Sequence, residues 1–502
     1  MRFGQLLGMM PGLYGHFVRA EDLRRAEDSR RKAAIQQQVM ASAEASGQLG
    51  NGRLATLHDA AQAGMLDANG LFLGALDGRA LFFAGDGQLL TYARTGSGKG
   101  RDTILPNLAH VRDRSLVVVD VKDGENCYAS HEHRAGTLGQ PCIYLNPFGL
   151  LGLPNTRINP LQVLVDIVAS GGEIDTQADE IAQILLPPNP KDGDGWVRKG
   201  ALRLLATRME YLAQCERELC SLGGLWRFVN AAPDDMETAM TMMETCGIEG
   251  IARRAGAMRA TLMDAPKQFE AYKSDAIEAL NAFEPGKTLE RATAAHDFDF
   301  GRLKHDPCTV YLISPSDKLG VIAPWISLIV NYAIEAIARE PGRLRTCFIL
   351  DEFPQLPPAP AVMKALRLYR GKGIQLWFFS QGRYSMEGRW SKEAVKEIED
   401  QAAIFTMTGV EDPDLLRDVE NGRATAPSSP TDERRRRHGR KRRGQSRRNP
   451  PPGPAIRGHP RHRRGSPDYQ AGRAAVAVRL RPAAVLCSRS MEVSDRGCAR
   501  SA

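Results

Sequence analysis

The run Ala93-Arg94-Thr95-Gly96-Ser97-Gly98-Lys99-Gly100 has the composition of a phosphate cradle. Small residues let backbone N–H groups converge on phosphate oxygens. A lysine neutralises charge at the β/γ end, and a helix starting just beyond aims its dipole at the anion. Thr95, Gly96, Ser97, Gly98, Lys99 and Gly100 are therefore candidate phosphate-binding residues. The run departs from the G-x-x-x-x-G-K-[ST] pattern at both ends. Ala93 stands for the first glycine, and Gly100 for the hydroxyl residue that would ligate Mg²⁺. The plain alternative is a chance Gly-rich turn. A second constellation, Cys347-Phe348-Ile349-Leu350-Asp351-Glu352, ends four apolar residues in paired acids. A buried strand can place Asp351 near a Mg²⁺ shell and Glu352 where it polarises an attacking water. Alone, the pair is equally a strand that ends in acids. In Trp377-Phe378-Phe379-Ser380-Gln381 a polar pair caps another apolar run, and Gln381 is placed to sense a γ-phosphate or orient water. Charges also follow Val117–Val119, in Asp120-Val121-Lys122-Asp123-Gly124-Glu125, which alone reads as a strand-to-loop boundary.

These residues need strands to hold them. Leu71–Ala75, Ala80–Ala84 and Leu89–Ala93 are short apolar runs with Gly turns that lead into the lysine loop. Ser115–Val121 is a continuous β-branched run, the pattern of a strand covered on both faces of a parallel sheet. Pro141–Leu145, Thr309–Ile313, Thr346–Leu350, Ile374–Phe379 and Ala403–Thr408 are further strand candidates. Helical periodicity marks Thr176–Leu186, Val197–Leu212, Ala323–Ala338 and Ala361–Arg370. Strands alternating with helices predict an α/β fold with a mostly parallel sheet. Residues 167–283 read as an all-helical insertion, and Ala20–Ala45 as an exposed helix.

The net charge of +8 invites a nucleic-acid reading, but its distribution matters more. Of the 67 Lys+Arg, 21 lie in Asn421–Ala502 with 5 of the 59 Asp+Glu, so the first 420 residues are net acidic. Thr425–Pro467 is almost all Arg, Pro, Gly, Ser and His and cannot bury enough apolar surface to fold. Residues 421–502 are expected to be a disordered basic tail. Its composition is what a GC-rich gene yields in the wrong frame; the rival is a genuine arm that binds nucleic acid through phosphates. The 9 cysteines contain no Cys-x-x-Cys, which favours reduced thiols. His131 and His133 flank Glu132 without a third ligand cluster and read as a loop or surface pair. An apolar patch in Met1–Ala20 is broken by Pro11 and Gly12, and no run approaches the roughly 18 apolar residues of a membrane span. The chain is not expected to cross a bilayer unaided.

In order, these elements resemble the type IV secretion coupling proteins, the TraG/TraD and VirD-like family of conjugative DNA-transfer ATPases. The family's phosphate loop commonly reads T-x-S-G-K-G, so Gly100 is a familiar departure there. Its other signatures resemble Asp120–Glu125, Asn146-Pro147-Phe148, Asn159-Pro160-Leu161, Trp196–Leu212, Asp351-Glu352-Phe353 and Ser380-Gln381. The resemblance covers about 71–419. It implies a RecA-like P-loop domain in two halves, 71–166 and 284–420, around the insertion at 167–283, after an N-terminal region at 1–70. It further implies ATP and Mg²⁺ as cofactors, and a ring, expected to be a homo-hexamer, with ATP at subunit interfaces. The cargo would be single-stranded DNA or a relaxase–DNA complex, passed to a type IV secretion channel at the cytoplasmic face of a bacterial inner membrane. Lys99 would neutralise phosphate charge, Asp351 bind Mg²⁺ through water, Glu352 activate water, and Gln381 report nucleotide state. Thr103 lies one turn on, but the direct Mg²⁺ ligand stays open, as does the choice of an arginine finger among Arg94, Arg367, Arg370 and Arg383.

Two departures matter. Family members usually carry N-terminal transmembrane helices, so the chain reads as a soluble variant or as one whose start lies upstream. They also continue as folded sequence past Glu420. The alternatives are a soluble DNA pump of the FtsK/HerA type, a truncated non-catalytic remnant, and a nucleic-acid-binding module run by the tail, which deleting Asn421–Ala502 would disable.

Overall fold

The computed structural model describes residues 55–188 and 195–409, with residues 412 and 415. The expected helix at 20–45 and the tail at 421–502 lie outside the described residues. Nine strands are described: β1 (Leu71–Leu76), β2 (Arg79–Phe83), β3 (Gln88–Ala93), β4 (Arg114–Asp120), β5 (Cys142–Leu145), β6 (Thr309–Ile313), β7 (Arg345–Leu350), β8 (Ile374–Ser380) and β9 (Ala402–Thr408). β1 and β2 pair antiparallel across Asp77-Gly78, whose φ angles of 46° and 78° suit a two-residue hairpin turn. The two strand-like runs are thus strands, paired with each other in a sheet of their own.

β3 to β9 form one sheet in the order β5-β6-β4-β7-β8-β3-β9, and every pairing is parallel. β3, β4, β6 and β8 are buried at every position. That explains their unbroken apolar runs, since helices cover a parallel sheet on both faces. The α/β fold with its P-loop is thus the observed architecture. Several polar residues inside the sheet are paired: Trp377 Nε1 donates to Thr91 Oγ1 at 2.9 Å, and Arg114 Nη1 to Gln375 Oε1 at 2.6 Å.

Between β5 and β6 the described elements are helical. They include Asp175–Leu185, Trp196–Cys215, Pro233–Glu244, Glu249–Asp264 and Pro266–Leu280. Leu204, Met209, Met236, Met240, Ile251 and Phe269 are buried among them.

Among the described residues one segment, Ser316–Arg339, is long and apolar enough to cross a membrane, although 83% of its apolar window is buried inside the protein. Reading the sequence for an unbroken apolar run passes over it, because Ser327, Asn331 and Glu335 interrupt the pattern. Each finds a partner in the interior. Ser327 Oγ donates to Pro357 O at 2.9 Å, Asn331 Oδ1 accepts from Ala361 N at 2.9 Å, and Glu335 pairs with Lys364 at 3.4 Å. His131 lies in the helix Glu125–Glu132, and its ring meets that of Tyr144 edge-on at 5.9 Å.

Because the strands run parallel, their C-terminal ends share one edge of the sheet, where ligands of open α/β folds bind. β4, β7, β8 and β3 are consecutive neighbours there. The segments leaving them carry Lys122, Asp351 with Glu352, Gln381, and Gly96–Gly100 in turn. β8 lies between the lysine-loop strand and the acid-pair strand, so Gln381 emerges between the two groups.

Candidate functional site

The lysine loop begins where β3 ends. Ser97 N donates to Arg94 O at 3.0 Å, closing a tight turn. Gly96 and Gly98 have φ of 77° and 86°, the left-handed region that side chains strain. A Cβ on Gly98 would also lie 2.4 Å from Asp102 Oδ2, so this position admits only glycine without rearrangement. A Cβ on Gly96 or Gly100 would meet nothing within 4 Å, so open space flanks the loop. Lys99 leads into a π-turn, Gly100–Ile104, and then the helix Leu105–His110. Sequence patterning indicates helix here but not the wider first turn. The opening N–H groups of such a segment have no partner within it. Ser97 Oγ is buried without a hydrogen-bond partner. An orphaned hydroxyl and left-handed glycines in one loop fit a triphosphate.

Lys99 Nζ lies 2.7 Å from Asp351 Oδ1 and 2.6 Å from Glu352 Oε1. The two constellations found 250 residues apart in the sequence thus meet in space. Asp351 is buried, and one of its oxygens accepts the Glu352 N–H at 3.0 Å. Glu352 has φ of 50°, a left-handed conformation that costs a non-glycine residue roughly 1–2 kcal/mol. Such strain persists where the surroundings fix the side chain. A second ammonium completes the cluster: Lys122 Nζ is 2.9 Å from Glu352 Oε1 and 4.0 Å from Asp351 Oδ2. Burial alone would push the Glu352 carboxyl up, but Lys99 and then Lys122 outweigh it and hold the group below the usual range. For Lys122 burial works downward, and Asp351 and Glu352 reverse it to a net rise. Among the described residues no three His, Cys, Asp or Glu are grouped to hold a metal. Mg²⁺ asks for less, since one or two carboxylates beside phosphate oxygens and water suffice. Asp351 and Glu352 fit that donor set. Thr103, the possible hydroxyl ligand, is buried in the π-turn, and its carbonyl accepts from Asn107 Nδ2 at 2.8 Å.

Asp120, at the end of β4, is fully buried. Burial pushes its carboxyl from 3.8 up to about 7, and the charge of Asp351 adds to this; the N–H of Cys127 at 2.8 Å and the Asn126 amide at 3.3 Å pull the other way. A carboxyl whose pKa is raised on folding stabilises the fold fully below its unfolded pKa. That contribution is lost as pH rises through about 7. Asp120→Asn keeps an acceptor for Cys127 N–H. Thermal melts in Mg²⁺-free buffer are expected to show it more stable than wild type at pH 8, by at most about 4 kcal/mol. The gap should narrow by pH 5; an equal gap at both pH values would contradict the assignment.

Gln381 lines a cleft of about 530 Å³ with Glu352, Gln355, Gly320, Ser385 and Arg389. Of the arginines left open by the sequence, Arg367 pairs with Glu397, Arg370 with Asp86 and Arg383 with Glu399. Arg389 lines the cleft instead. Neither Arg389 nor Lys122 is singled out as a site residue by sequence. The charges following β4 are the signal for Lys122, and no pattern marks Arg389.

The family model of type IV secretory system conjugative DNA transfer proteins matches residues 20–443. The chain belongs to that family. Two Escherichia coli proteins, each a conjugal transfer protein TraG, are 24% identical to it. One match covers 64% of this chain and 53% of the relative, the other 61% and 50%. The chain therefore spans about half the length of these curated relatives. Among solved structures, the plasmid coupling protein TrwB in complex with the non-hydrolysable ATP analogue ADPNP superposes with a TM-score of 0.54 at 15% identity, over 73% of this chain and 81% of that one. TrwB in complex with ADP and Mg²⁺ gives 0.51 at 15% identity, over 70% and 78%. At these identities the likeness shows the fold alone, the α/β fold that this chain shares with TrwB.

Proposed function

We propose that this conjugative transfer family member is an ATP-driven coupling protein that moves single-stranded DNA, or a relaxase–DNA complex, to a type IV secretion channel. The observation that carries this reading is the convergence of Lys99 on Asp351 and Glu352 at the C-terminal edge of the sheet, within 2.7 Å. Backbone N–H groups of Gly96 to Gly100, with Thr95 and Ser97, hold the triphosphate, and Lys99 neutralises its β/γ charge. Asp351 would hold Mg²⁺ through water, and the ion would supply charge neutralisation at the phosphate oxygens. Glu352 accepts the proton of the attacking water, and Gln381 orients that water from the strand between. TrwB, of the same fold, binds ADPNP, and ADP with Mg²⁺. The working form is a hexamer at the cytoplasmic face of the inner membrane. Residues 71–166 and 284–420 form its motor domain, and the helical insertion at 167–283 faces the cargo.

Phosphate release with and without single-stranded DNA tests the reading. DNA-stimulated turnover is expected, and turnover indifferent to DNA would remove the coupling role. Gln381→Ala is expected to lower stimulated kcat about tenfold, the loss of one well-placed hydrogen bond of ~1.4 kcal/mol, at an unchanged KM for ATP. A rise in KM with kcat intact would instead make Gln381 a binding residue.

A further inference from the structure

Lys122 Nζ and Lys99 Nζ take the same oxygen of Glu352, Oε1, at 2.9 and 2.6 Å. An oxygen engaged by an ammonium is not free to take a proton from water. On the reading above, Lys99 turns to phosphate when ATP binds, which leaves Lys122 on the carboxylate. Lys122 is held by a rigid turn. Its carbonyl accepts Glu125 N at 3.1 Å, and Asp123 and Gly124 both adopt left-handed conformations, with φ of 57° and 79°. Asp123 is clasped to the segment after β6: its N–H donates to Ser314 O at 3.1 Å, and its carboxylate accepts Ser316 N at 3.1 Å and Ser316 Oγ at 2.7 Å. That segment runs through the short turn Ser316–Lys318 into the helix Leu319–Arg339. Leu319 and Gly320, at the start of the helix, line the cleft shared by Glu352 and Gln381. A continuous chain of bonds therefore links the rim of the cleft to the acid that activates water.

We propose that Lys122 is a positioning residue that latches Glu352 and keeps DNA-free ATP turnover low, its place set by the Asp123–Ser316 clasp. The latch rests on the ATPase reading and adds to it a built-in restraint. A ligand that shifts the Ser316–Leu319 segment moves the turn bearing Lys122 and frees Glu352. Lys122→Met removes the ammonium but keeps the stem, at a side chain already 41% exposed. Ser316→Ala weakens the clasp without touching the acid pair.

The test is steady-state phosphate release by the full chain at saturating ATP, with and without single-stranded DNA, alongside thermal melts. Lys122→Met is expected to raise DNA-free kcat about fivefold, lower the stimulation ratio correspondingly, and leave KM for ATP within about twofold. Ser316→Ala should act in the same direction with a smaller change, and Lys122→Arg should return the rate toward wild type. A fall or no change in DNA-free kcat for Lys122→Met at a wild-type melting temperature overturns the latch. If Lys122→Met melts early, Ser316→Ala decides in the same way. Lys99→Ala separates the two claims. Wild-type turnover that Lys99→Ala abolishes, without a rise in Lys122→Met, sinks the latch alone. No wild-type turnover, with ATP bound equally by Lys99→Ala, sinks the ATPase reading and the latch together.

Discussion

Lys99→Ala is expected to cut ATP turnover by about 10²–10³-fold and to weaken ATP binding, because the ammonium that meets the developing phosphate charge is gone. Its side chain is 10% exposed, and those of its partners Asp351 and Glu352 are 3% and 12% exposed. Removing one member of a buried ion cluster strands the others, at a cost of about 3 kcal/mol. The variant should therefore also melt below wild type at neutral pH, with Lys122, 4.0 Å from Asp351, as a partial substitute. Steady-state kinetics, nucleotide titration and a melt together check this. Turnover within a factor of three of wild type, in a variant that melts lower, would make Lys99 a structural cation and nothing more.

Glu352→Gln should separate binding from chemistry. The amide keeps the shape of the carboxylate but cannot take a proton, so kcat is expected to fall about 10²–10⁴-fold. ATP affinity should stay within a few-fold of wild type, because the phosphate cradle is unchanged and Lys99 keeps its ammonium and its Asp351 partner. In single-turnover experiments the variant should hold ATP without cleaving it. Equal losses of affinity and rate would instead place Glu352 in the binding shell. Asp351→Asn provides the contrast: loss of a Mg²⁺ partner should appear as a higher Mg²⁺ requirement, read by titrating turnover against Mg²⁺.

The middle of the sheet was legible because strands such as β4, β6 and β8 are buried on both faces. Ser115–Val121 and Thr309–Ile313 have no alternating polar positions to mislead, and the structure places strands at Arg114–Asp120 and Thr309–Ile313. Chemistry-bearing residues at the ends of such strands were legible for the same reason: a run of apolar residues that stops in Asp351-Glu352 or Ser380-Gln381 marks the sheet edge. What patterning does not encode is which edges are adjacent. The position of β8 between β3 and β7, and hence of Gln381 between lysine and acids, follows from crossover connections that one sequence leaves open. The runs that form β1 and β2 were legible as strands, but not that they form a separate sheet, because short apolar runs look alike whichever sheet they enter. Lys122 was visible as a charge after a strand, but its role is a distance to Glu352, and distances of that kind are tertiary. The buried polar groups of Leu319–Arg339 hid its apolar character for a related reason. Asn331 and Glu335 break its apolar run, and their partners, Ala361 N and Lys364, come from elsewhere in the chain.

The most direct measurement is a structure of this chain with a non-hydrolysable ATP analogue and Mg²⁺. The triphosphate should lie along Gly96–Gly100, with Lys99 Nζ transferred from Asp351 and Glu352 to the phosphate oxygens, Asp351 facing the metal, and Glu352 and Gln381 beside the γ-phosphate. A nucleotide bound elsewhere, or an ordered Lys99 still paired to both acids at saturating nucleotide, would contradict the account.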